Sequence, residues 1–155
     1  MDVRHALGEA ILSTQSDAIV AADSDGVIVF WNPGAERIFD YSSAEAVGQS
    51  LDIIIPARLR KRHWDGYRRV MDGGESRYGH GDLLTVPGIA KDGRSLSLEF
   101  TIAPMRVGPD RLIGLVAIMR DVTKRFEEAR ALRRKLAEAT KGPHAYWNRK
   151  AGAPQ

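Results

Sequence analysis

No cysteine occurs among the 155 residues of the chain. That absence excludes disulfide staples, thiolate zinc sites, thiolate-held iron–sulfur clusters, cysteine nucleophiles and any flavin photocycle that needs a cysteinyl adduct. Long apolar runs are also missing: none approaches the about 18 residues of a membrane span, and Asp2, Arg4 and His5 near the start do not compose a secretory signal. A soluble, cytoplasmic protein is expected. Charge of one sign is scarce overall, since Lys and Arg exceed Asp and Glu by 23 − 20 = 3, too little to argue for a nucleic-acid partner. Signatures of catalysis are lacking as well. There is no P-loop, GxSxG or HExxH pattern, and the serines have no evident base beside them. A sensor or binding module fits better than an enzyme, built as one domain large enough to bury a core.

What is present has a clear order. Asp2 to Leu12 has helical spacing at Val3, Ala6, Leu7, Ala10 and Ile11. Ala18–Ala22 and Val27–Trp31 are strand-like runs divided by Asp23-Ser-Asp-Gly26, whose Asp-Gly pair suits a tight hairpin. Asn32-Pro33 caps and opens a helix to about Phe39, and Ser42 with Glu45 has the spacing of a capping box. A longer helix is expected from Ala57 to about Met71, stopped by Gly73-Gly74. Three strands follow: Ser76 to Val86, Ser95 to Met105, and the more continuously apolar Leu112 to Met119. In the middle one Leu96, Leu98, Phe100 and Ile102 share a face. After Asp121 the chain turns helical and charged to about Thr140. The spacing therefore predicts an α+β fold in which helices cover one face of a five-stranded antiparallel sheet. Its parts are a flanking helix (1–12), a core domain (13–123), an outgoing helix for signalling or dimerisation (124–141) and a flexible tail (142–155).

The long helix is the unusual element. It carries six Arg or Lys between Arg58 and Arg69, yet Leu59, His63, Tyr67 and Val70 share one apolar stripe. A charge run of this kind is ordinarily a solvated face, and a histidine on an apolar stripe is ordinarily a packed, hydrogen-bonded residue. Trp64 and Tyr67 read as core or interface aromatics.

The element order resembles the PAS sensor fold over roughly Ile11 to Thr123. The resemblance rests on Ala21-Ala-Asp-Ser-Asp-Gly26, Trp31-Asn-Pro-Gly-Ala-Glu36, Gly48-Gln-Ser-Leu51 before Ile54-Ile-Pro56, Lys91-Asp-Gly93 and Arg120-Asp-Val-Thr123. Together these specify the fold and leave the ligand open, because PAS domains hold heme, flavins, organic acids or nothing.

Within that family the helix is similar to the one that carries the iron-bound histidine in heme-binding PAS domains of FixL-type oxygen sensors. His63 stands seven residues after Pro56 and eleven before Gly74-Glu75, and both intervals match. The family's His-Asp-Gly-Tyr run is here Trp64-Asp-Gly-Tyr67, and alignment on that run alone would put Trp64 at the ligand position. The flanking register is preferred, since His63 has the required chemistry.

The resemblance implies a b-type heme ligated by His63, with Arg69 and Arg77 beside the propionates, Tyr67 nearby, and Tyr78, Leu83, Phe100, Ile102 and Leu115 along the distal wall. His80 and Met105 are candidate sixth ligands. Where the oxygen sensors offer an arginine to bound oxygen this register places Leu83, which shifts the expected signal toward carbon monoxide, nitric oxide or iron redox state. A homodimer is expected, and the chain reads either as a fragment of a larger sensor or as a stand-alone protein that acts on a separate signalling partner. Two alternatives stay open: a heme-free PAS module that binds a small organic ligand or dimerises, and a heme-dependent peroxidase or oxygenase-like enzyme.

Overall fold

The computed structural model describes residues 1–73 and 84–151. It divides into two units, residues 1–122 and 123–155. In the first, α1 (Val3–Leu12) begins at Asp2, whose carboxylate accepts from the Arg4 amide at 3.0 Å. The strands β1 (Ala18–Asp23) and β2 (Ile28–Trp31) pair across the turn foreseen at Asp23–Gly26, where Gly26 adopts φ +78°. The helices α2 (Pro33–Phe39) and α3 (Ser43–Ala46) follow, then two short 3-10 turns (Leu51–Ile54 and Ala57–Leu59), and then α4 (Arg60–Met71). The strands β3 (Leu84–Ile89), β4 (Ser95–Val107) and β5 (Arg111–Asp121) complete a sheet ordered β2-β1-β5-β4-β3, antiparallel throughout.

Local chemistry accounts for the joints. Asn32 Oδ1 accepts from the Ala35 amide at 2.9 Å, and Pro33 occupies the first turn of α2. Ser42 and Glu45 make both bonds of the capping box, at 3.1 and 3.0 Å.

The core lies between the sheet and α2–α3. Ala18 and Val20 of β1, Ile28 and Trp31 of β2, Ile38 and Phe39 of α2, Leu96 and Leu98 of β4, and Met119 of β5 form its buried cluster. A second, smaller cluster joins Ala22, Tyr67 and Leu115, flanked by Leu51, Trp64, Val70, Met71 and Ile102. That cluster is the contact between α4 and the sheet.

Two boundaries differ from the sequence expectation. The strand read as Ser76–Val86 is seen as β3 from Leu84 to Ile89, and the earlier part of that run lies outside the described residues. Pairing to β4 decides its end, because the register Leu84↔Phe100 through Ile89↔Ser95 carries the strand to the turn before Ser95. Pro87 is tolerated because β3 is an edge strand.

The second unit is the helix α5 (Thr123–Ala151). It continues past Thr140 to Ala151, into the segment expected to be a loose tail, whose last four residues lie outside the described residues. The helix runs on through Gly142-Pro143. Among the described residues no helix is long and apolar enough to cross a membrane.

Candidate functional site

The N-terminus of α4 is fastened by side chains rather than by a capping residue. Arg60 donates to the carbonyls of Ile55 and Asp52 at 3.2 and 3.3 Å, and its guanidinium lies 3.9 Å from the Asp52 carboxylate. The Trp64 indole N–H donates to the same carboxylate at 2.7 Å. Trp64 also lies over Gly26 at the β1–β2 turn, where any Cβ would come within 2.1 Å of the indole ring. Asp52 and Gly26 thus set where the aromatic face of α4 sits.

Three rings occupy that face. His63 is 4.7 Å from Trp64 and 5.8 Å from Tyr67 between ring centroids, and Trp64 is 5.5 Å from Tyr67. Tyr67 is 7 % exposed and reaches the sheet, packing in the cluster with Ala22 and Leu115. Its hydroxyl donates to the carbonyl of Asp23 at 2.5 Å, with a longer contact of 3.4 Å to that of Ala22. Burial, with Asp23 and Asp25 nearby, pushes the Tyr67 phenol up to about 12, so it remains a donor at neutral pH.

His63 is half-buried, and its Nδ1 is buried without a hydrogen-bond partner. Burial lowers its pKa below the ordinary histidine value, against the opposing pull of Asp52. A neutral imidazole with an unused ring nitrogen is chemically fit to ligate a metal centre. Among the described residues no group of three or more His, Cys, Asp or Glu could hold a bare metal ion.

The other expected site residues divide. Leu115 (7 % exposed) and the partly buried Ile102 pack with Tyr67 at the sheet. Phe100, on the same face of β4, packs against the larger core cluster. Arg69 is exposed and forms no ion pair among the described residues. Arg77, Tyr78, Leu83 and His80 lie outside the described residues. Met105 is a correction: it pairs with Gly114 in register, and its Cε lies 2.7 Å from where a Gly114 Cβ would stand. Alternation puts Gly114 and Leu115 on opposite faces, so Met105 is on the side of the sheet away from His63.

Sequence reasoning missed Asp52 and the Asp23 carbonyl. Their partners are 12 and 44 residues distant, and neither has a local signature.

The profile of the PAS fold matches residues 6–122. Sensor protein FixL of Bradyrhizobium diazoefficiens is 31 % identical over 118 residues, covering 74 % of this chain and 22 % of that protein. Oxygen sensor protein DosP of Escherichia coli is 27 % identical over 114 residues, 74 % of this chain and 14 % of that one. The chain therefore spans less than a quarter of the length of these relatives. A PAS domain structure from Colwellia psychrerythraea superposes with a TM-score of 0.67 at 25 % identity, covering 79 % of this chain and 99 % of that one. With its five-stranded antiparallel sheet and the match over residues 6–122, the chain belongs to the PAS family, as a sensor domain related to FixL and DosP.

Proposed function

We propose that this PAS domain takes up b-type heme through His63 and reports a diatomic gas, or the redox state of the iron, to its flanking helices. The observation that carries the reading is the buried, unpartnered Nδ1 of His63 on a neutral imidazole. A buried polar atom without a partner costs about 1–3 kcal/mol, and a bond to iron removes that cost. When bound, the heme would supply an axial position for a gas and a one-electron couple.

The chain's own residues have definite parts in this reading. His63 holds the iron and is kept neutral by burial. Arg69, free of protein partners among the described residues, is assigned with Arg77 to the propionates, where a guanidinium binds carboxylate in bidentate fashion. Ile102, Leu115 and Phe100 would exclude water from the gas-binding side, to which the resemblance also assigns Tyr78 and Leu83. Leu83 offers no hydrogen bond to a polar iron–oxygen unit, which favours carbon monoxide, nitric oxide or redox state as the signal. Leu115 belongs to β5, whose exit is tied to β4 by the Val122 amide donating to the Ser97 carbonyl at 2.9 Å, and the next residue begins α5. The relay thus follows one continuous stretch of chain to α5, and from there to a second copy in a homodimer and to a separate signalling partner in the cytoplasm.

Hemin titration tests the ligand. The parent is expected to bind one hemin per chain, and His63→Ala to lose it while keeping its far-UV circular dichroism. Equal binding by His63→Ala would remove the assignment.

One observation favours a second reading. Tyr67 already fills the space between α4 and the sheet, which suits a heme-free module that serves dimerisation. A parent that takes up no hemin would support it.

A further inference from the structure

Tyr67 fills the space between α4 and the sheet, its ring 5.8 Å from that of His63. Its ring packs against Ala22, Leu115 and Ile102, the wall facing His63. Its single proton goes to the last carbonyls of β1, Asp23 at 2.5 Å and Ala22 at 3.4 Å. Those acceptors cannot recede into the sheet: Gly114 of β5 passes so close that a Cβ there would stand 2.1 Å from the Ala22 oxygen. The Asp23 carbonyl is further fixed by the Gly26 amide at 3.0 Å, beneath the Trp64 indole. The phenol can vacate the space only by swinging away from the sheet.

We infer that Tyr67 is the specificity-determining residue of this space, an internal occupant that an incoming ligand has to displace. The inference deepens the reading of His63 as the ligand-binding side chain. Displacement gives up a buried ring and its hydrogen bond, so only a ligand that buries a large apolar area in exchange is admitted. A flat macrocycle satisfies that condition. A small polar metabolite does not, since it offers too little area to replace a tyrosine ring.

Two variants of the full chain test this. Tyr67→Phe keeps the ring and removes the bond to Asp23, so hemin affinity is expected to rise about fivefold over the parent, the equivalent of one ordinary hydrogen bond. Tyr67→Ala empties the space, and added phenol is expected to raise its thermal midpoint by about 2–5 °C at ten times its dissociation constant while leaving the parent unmoved. Tyr67→Leu takes its place if the alanine variant does not fold. Should no form bind hemin while phenol still stabilises the emptied variant, both the heme reading and the specificity role of Tyr67 fall, and Tyr67 is a packing residue. Hemin binding in Tyr67→Phe that is equal to or weaker than the parent's, or phenol acting on parent and emptied variant alike, would overturn the inference.

Discussion

At Asn32 one side chain satisfies four backbone groups. Oδ1 accepts from the amides of Ile19 (2.7 Å) and Ala35 (2.9 Å), while Nδ2 donates to the carbonyls of Thr14 (3.0 Å) and Asp17 (2.9 Å). The residue is 1 % exposed, and its bonds from the Ile19 and Ala35 amides are buried, so these two donors would be left without a partner on its removal. Asn32→Ala is expected to lower stability by about 2–4 kcal/mol, read as a fall in the urea midpoint at unchanged slope. Trp64 works on a smaller scale. Trp64→Phe keeps a ring over Gly26 but leaves Asp52 without the indole donor at 2.7 Å, and should cost about 1 kcal/mol. The same substitution should raise hydrogen exchange in the first turn of α4, because Asp52 is where that turn is fastened.

Among elements, the shortest helix is held from outside. Glu45 closes the capping box of α3 and also pairs with Lys91 in the β3–β4 turn, whose amide donates to the Phe39 carbonyl at 2.9 Å. Lys91 and the Ser42 amide hold the Glu45 carboxyl down to about 2, from an ordinary 4.5. A carboxyl lowered on folding adds stability that is complete above the unfolded value and is lost as pH falls through the folded one. Stability should therefore decline from pH 4.5 toward 2, and Glu45→Gln should flatten that stretch of an acid titration. In the sheet, Gly114 lets β5 and β1 approach, and Gly114→Ala must push them apart at the Ala22 carbonyl for about 1–3 kcal/mol.

Much of this level was legible in the sequence. Asp23–Gly26, Asn32-Pro33, Ser42 with Glu45, and the alternation of β4 each announce themselves within a few residues, because turns, caps and pleats are local chemistry. The site was legible only as far as its helix: the stripe of His63, Tyr67 and Val70 could be read, but the acceptors that Tyr67 finds 44 residues earlier could not. Nor could the run of α5 to Ala151, since Gly142-Pro143 reads as a stop by composition.

For the whole molecule, every buried cluster among the described residues falls within residues 1–122. A chain ended after Val122 is expected to unfold cooperatively within about 0.5 kcal/mol of the full chain. The fold has a core between the sheet and α2–α3, and a separate, smaller cluster under α4. The proposed heme concerns mainly the second, so its uptake is expected to be lost in His63→Ala without loss of the fold. The most direct measurement is the visible absorption spectrum of the chain produced with ample heme, oxidised, reduced and exposed to carbon monoxide. A Soret band of one heme per chain that shifts on reduction and again with carbon monoxide is the predicted result. A colourless protein that also refuses added hemin would contradict it.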